Sequence, residues 1–241
     1  MFKKNKKEDI VSILNKNIII LKEISRARTR IKILQKTTSD SILNCKDEAI
    51  LQAYGIYKER FKKPLFSDLI SIFLNHVEEF EFHKYTSVPQ AFKVQYRENE
   101  SRFLKLGKIN LKDHSLRVFT IACSKNKNNP DRFAEEIVLL ALTHDFGKCN
   151  KVIDFVGSSA KETHNQVSAH YVSIIMRQLG YPEEFVELFY QTLYHHHSHQ
   201  ETIKNTFYIQ ALNECDYEAR REEEKKIMKL EGKQKGAYRD F

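Results

Sequence analysis

Asn129–Lys148, NPDRFAEEIVLLALTHDFGK, points to the architecture of the chain. Asn129 offers a helix N-cap, and Pro130 suits the first helical position because its φ is already fixed. From Phe133 to Leu142 only Glu135 and Glu136 are polar. The segment reads as an apolar helix. The run ends in Thr143-His144-Asp145, and Gly147 is expected to let the chain leave the helix in a left-handed turn. Two groups that can ionise are thereby set at the end of an apolar helix.

Outward from this segment the helix signals recur. Towards the N-terminus, Asp113 is a candidate cap for a helix reaching about Ser124. Towards the C-terminus, Thr163 caps a helix ending at Gly180, and Pro182 starts another that runs into His195-His196-His197. A last long helix begins near Thr202 and continues through the charged stretch Arg220–Lys229, whose Glu-Lys spacing reads as a solvated face. Five helices joined by short loops predict an all-α bundle. Composition agrees. The 241 residues hold only 7 Gly and 4 Pro, with 41% hydrophobic and 30% charged residues, which suits a globular helical protein and excludes collagenous, disordered and Gly-rich phosphate-loop classes.

Residues 1–100 are expected to form a basic helical N-terminal lobe, and 101–241 the bundle with its charged C-terminal helix. In the lobe, 8–36 and 40–62 read as basic amphipathic helices, the second capped by Ser39 or Asp40. Asp68–Phe82 follows with Leu69, Ile70, Phe73, Leu74 and Val77 as its apolar stripe. Arg102–Leu111, RFLKLGKINL, alternates enough to allow a short hairpin at the seam. The formal charge of +8 and pI near 9.1 favour phosphate-bearing partners, although much of the excess lies in the Lys-rich first 36 residues. Ile18–Leu21 is a four-residue apolar patch between lysines, so no membrane span or signal peptide is expected. Cys45, Cys123, Cys149 and Cys215 are scattered without a CxxC pair, the usage of a reduced, cytoplasmic protein.

Each of the five helices carries a potential metal ligand on its inward side. His114 shares a face with Val118, Ile121 and Ala122, and His164 with Val167, Tyr171 and Ile175. In the histidine run, His196 continues Phe185, Phe189 and Leu193, with His197 next best placed. Asp216 falls on the face of Ile209 and Leu212. One histidine on an apolar face is more often a hydrogen-bonded core residue. Five helices doing the same would need five separately satisfied polar sites, and a buried carboxylate costs several kcal/mol without a partner. One shared cation removes the difficulty at all of them, and mixed imidazole and carboxylate ligands suit Mn, Fe, Zn or Ni better than Ca.

The ordered set His114, His144-Asp145, His164, His196-His197 and Asp216 resembles the HD-domain metal-dependent phosphohydrolases. ALTHDFGK is similar to the central His-Asp-x-Gly-Lys motif of that superfamily, and DHSLRV to the segment with its first histidine. THNQVSAHYV and LYHHH resemble the extra-histidine and paired-histidine segments of two-metal members, such as RNase Y-type nucleases and HD-GYP phosphodiesterases. The likeness covers about Leu111–Arg221. The GYP triplet is missing and Ser198-His199 follow the histidine pair, which argues against a cyclic-dinucleotide enzyme.

The resemblance implies one or two divalent ions (Mn, Fe, Ni, Zn or Mg). His114, His144, Asp145 and Asp216 would hold one, and Asp145 would bridge to another held by His164, His196 and His197. It further implies hydrolysis of a phosphomonoester or phosphodiester in a nucleotide or nucleic acid. Lys148 is the candidate for offsetting transition-state charge, and Asn165 and Arg220 are candidates for substrate contact. Two alternatives stay open: a non-catalytic metal- and nucleic-acid-binding module of the kind found in conjugative relaxases, and a nucleotide sensor.

Overall fold

The computed structural model describes residues 17–21, 42–88, 106–125, 130–158, 161–197 and 206–237, with side chains in the last segment over 207–229. The helices are α1 (Glu48–Arg60), α2 (Ser67–Glu79), α3 (Leu111–Lys125), α4 (Asp131–Thr143), α5 (Asn150–Val156), α6 (His164–Gln178), α7 (Glu183–His195) and α8 (Thr206–Ala237), with 3-10 turns at Phe82–Lys84 and Phe146–Lys148. The fold is all-α, as the periodicity predicts. Among the described residues the one β feature is a single antiparallel bridge between Thr86 and Asn110. Leu106 is helical and residues 107–109 form a turn, and Arg102–Lys105 of the expected hairpin lie outside the described residues. The 8–36 helix lies outside them as well, except for a helical turn at 17–21 whose apolar side chains are exposed.

Capping explains where α1, α3 and α6 start. Asp47, rather than Ser39 or Asp40, begins α1, its carboxylate accepting from the Ala49 and Ile50 amides. At α3 the cap is Asn110, whose Oδ1 accepts from the Asp113 amide at 2.8 Å, so Asp113 lies inside the first turn. Thr163 caps α6, as the sequence suggests, and Gln166 completes a capping box with it. The helix Asn150–Val156 has no counterpart in the sequence reading; it is closed by Gly157 at φ 75°.

Helix α4 is the axis of the core. Every residue from Ala134 to Thr143 is buried, and α3, α2, α7 and α8 pack around it. The two glutamates that interrupt its apolar run have partners from other elements. Glu135 accepts from the Tyr57 hydroxyl and from the Leu65 and Phe66 amides, and Glu136 from the Tyr208 hydroxyl and from Arg132. Three donors satisfy the Glu135 carboxylate, which is what a buried acid needs. The core extends without a break into α1 and α2 through Ile50, Tyr57, Ile70 and Phe73. No helix of the described residues is long and apolar enough to cross a membrane.

Candidate metal centre

At the C-terminal end of α4, His144 and Asp145 leave the helix into the Phe146–Lys148 turn, both essentially buried. Four other elements meet them there. His114 comes from the first turn of α3, His164 is the first residue of α6, His196 and His197 follow the end of α7, and Asp216 sits on α8. Gly147 makes this convergence possible for a reason other than the expected left-handed turn: among the described residues only Gly157 and Gly180 are glycines at positive φ. A Cβ at 147 would stand 2.0 Å from the His164 carbonyl oxygen. The missing side chain lets the turn lie directly against the start of α6, where the Gly147 amide donates to Ser168 Oγ at 2.8 Å.

The ligand-type atoms form two groups, each within 4.8 Å of one another: His114, His144 and Asp216 in the first, and His164, His196 and His197 in the second. Asp145 lies between them and faces both ways. Its Oδ2 is 3.4 Å from His144 Nε2 and 3.6 Å from His114 Nε2, while its Oδ1 is 3.4 Å from His164 Nε2. His114 Nε2 stands 3.1 Å from Asp216 Oδ1, and His164 Nε2 3.1 Å from His197 Nε2.

The tautomers are set from behind. His144 Nδ1 lies 2.8 Å from the Ala141 carbonyl and His196 Nδ1 2.7 Å from the Leu193 carbonyl. A carbonyl only accepts, so Nδ1 carries the proton and Nε2 presents its lone pair. Yet the buried Nε2 atoms of His114, His144 and His196, together with Asp145 Oδ1 and Asp216 Oδ1, have no hydrogen-bond partner. Unsatisfied buried polar atoms are rare because each costs about 1–3 kcal/mol. Three of them belong to the first group and two lie on the side of the second, an arrangement that fits bound cations, and the donor set of imidazoles and carboxylates fits a divalent transition metal.

The two groups differ electrostatically. Burial pulls the His144 imidazole down, but Asp145 and Asp216 outweigh it and raise its pKa. Burial works against the Asp145 carboxylate too, yet His144, Lys148 and His164 hold it well below the usual range. In the second group burial prevails: His164 falls to about 4, and His196 and His197 also fall, the neighbouring imidazole adding to the effect at His196. A proton can therefore stand in for a cation among the carboxylates, whereas the second group stays a set of neutral donors.

A family model described as the HD domain matches residues 111–232, 122 of the 241 residues. The chain belongs to the HD domain family. No curated protein and no solved structure matches it.

Around the HD pair the remaining candidates are placed as follows. Lys148 Nζ is 2.6 Å from Asp145 Oδ2 and donates to the Ser87 carbonyl at 2.7 Å. Arg220 lies across from it, donating to Ser87 Oγ at 2.8 Å and to the Ser87 carbonyl at 3.1 Å, with Nη2 3.9 Å from Asp145 Oδ2. Asn165 turns instead to α7, its amide donating to the Tyr194 carbonyl and so tying the histidine pair to the start of α6. Two residues of the HD centre escaped the sequence reading. Ser87 carries no local signal, whereas Glu223, bonded to His114 Nδ1 at 2.9 Å, repeats the face of Asp216 seven residues on.

Proposed function

We propose that this HD domain is a metal-dependent phosphohydrolase that cleaves a phosphomonoester or phosphodiester of a nucleotide or nucleic acid. The observation that carries this reading is the set of five buried, partnerless ligand atoms, Asp145 Oδ1 among them, at a centre where Asp145 faces both histidine groups. In the proposal His114, His144, Asp145 and Asp216 hold one divalent ion, and Asp145 with His164, His196 and His197 holds a second. Such ions supply a Lewis acid for the phosphoryl oxygens and acidify water enough for attack near neutral pH.

The rest is the work of the chain itself. The Nδ1 partners keep the imidazoles aimed before anything binds, so little reorganisation is needed. Lys148 and Arg220 bring two positive charges to the Asp145 side of the centre, where a substrate phosphate adds negative charge. Of the two, Lys148 is the candidate for charge that builds up during reaction, and Arg220 for holding the phosphate in place. Asn165 contributes by holding the segment that carries His196 and His197.

The test is hydrolysis of bis-p-nitrophenyl phosphate and of a nucleotide panel with Mn²⁺. Turnover is expected in the native chain and its abolition in Asp145→Ala, with metal content falling in parallel. Activity unchanged in Asp145→Ala would remove the proposal. Bound metal without turnover on any substrate, joined to DNA affinity that drops steeply with salt, would favour the nucleic-acid-binding alternative.

A further inference from the structure

We infer that Glu223 is a positioning residue that couples the first ligand group to the cation beside it. The inference rests on the reading of His114 as a metal ligand and adds an outer partner that controls it. Glu223 lies on α8 and is 1% exposed, so its charge is held by protein groups alone. Its Oε1 is 2.9 Å from His114 Nδ1, and its Oε2 accepts from Arg220 Nη1 at 3.2 Å. Arg117 Nε stands further off, at 3.9 Å.

The comparison with the other imidazoles sharpens the role. His144 and His196 rest on backbone carbonyls. Among the ligand imidazoles whose Nδ1 partner is described, His114 alone has a carboxylate behind it. An ionised carboxylate only accepts, so Nδ1 of His114 keeps its proton and Nε2 offers its lone pair towards Asp145 and Asp216. A full negative charge at the rear also makes that imidazole a better donor than one backed by a carbonyl.

The second oxygen extends the effect. Arg220 is gripped by Glu223 on one side and by Ser87 on the other, which leaves its Nε 3.7 Å from Asp216 Oδ1 and its Nη2 3.9 Å from Asp145 Oδ2. One carboxylate thus orients a ligand and the neighbouring guanidinium together. Losing it would loosen the ligand and free Arg220 to swing onto Asp216 and Asp145, where it would compete with the cation.

The experiment is a double-mutant cycle read by metal affinity. Co²⁺ binding to the native chain, Glu223→Gln, His114→Ala and the double variant is measured by competition with a chromogenic chelator, with melting curves as the fold control. Glu223→Gln is expected to weaken the tightest-bound ion about 10–100-fold, and this loss should shrink in the His114→Ala background to the part that runs through Arg220. If Glu223→Gln does not fold, Glu223→Asp, one methylene shorter, is expected to show the same loss. Native affinity in the variant, or an equal loss with and without His114, would overturn the inference. Absence of hydrolysis beside a normal cycle would remove only the hydrolase reading, whereas a native chain that binds no Co²⁺ would remove both.

Discussion

At Gly147 the constraint is space. The Cβ of an alanine would meet the His164 carbonyl oxygen at 2.0 Å and its carbonyl carbon at 2.8 Å, both backbone atoms that cannot rotate away. Gly147→Ala is therefore expected to destabilise the protein by about 1–3 kcal/mol through overpacking. It should also push His164 off its partners and lower metal stoichiometry; urea unfolding and elemental analysis of the same preparation would check both. The glycine was legible as a residue under constraint, but its reason was not, since contact with residue 164 is a tertiary fact. The same limit separates the ligand candidates from their supports. His114, His164, His196 and Asp216 could be read because each repeats an apolar face within its own helix. Glu223 and Ser87 act on groups 109 and 133 residues away, and no local spacing encodes such a meeting.

At the scale of the element, the start of α6 matters most, because its first residue is His164 and its cap is Thr163. The Thr163 hydroxyl and the Gln166 side chain satisfy two amides that would otherwise face the site end of the helix without partners. Thr163→Ala is expected to cost about 0.5–2 kcal/mol of stability and to raise hydrogen exchange in the first turn of α6. Exchange unaltered there would mean that packing against the Gly147 turn, and not the cap, holds His164. Helix boundaries were legible where one strong signal stood alone, as at Thr163 and Pro182. One was misplaced where two cap formers lie within a turn: the sequence reading puts the cap at Asp113, and Asn110 fills it. The seven-residue helix α5 was missed because fewer than two turns carry no readable period. Glu135 and Glu136 of α4 look costly in sequence and are not, because Tyr57 and Tyr208, 78 and 72 residues away, donate to them.

For the molecule as a whole, the neutral imidazoles set the response to acid. His164 falls to about 4, and His196 and His197 are also lowered, all three chiefly by burial. Between about pH 6.5 and 4 the unfolded chain binds a proton at His164 that the metal-free folded chain does not, and the lowered His196 and His197 act in the same sense as pH falls below 6.5. Their contribution to stability is thus present above pH 6.5 and is lost as pH falls. His144, raised by its carboxylates, works in the opposite sense, so a variant must isolate the effect. Melting curves of chelator-treated protein should show a shallower acid loss in His164→Gln than in the native chain; equal slopes would reject the assignment. The all-α architecture was legible throughout, since amphipathic spacing needs no knowledge of partners. The order of the ligands along the chain has a final consequence. His164, His196 and His197 are all synthesised before Asp216, and Glu223 comes later still. At roughly 5–20 residues per second the ribosome has joined Asp145 and all three imidazoles of the second group about a second or more before it adds Asp216. If the proposed ions bind as the chain emerges, the timing of translation favours filling that second group first, a loading order that equilibrium affinity alone would not dictate.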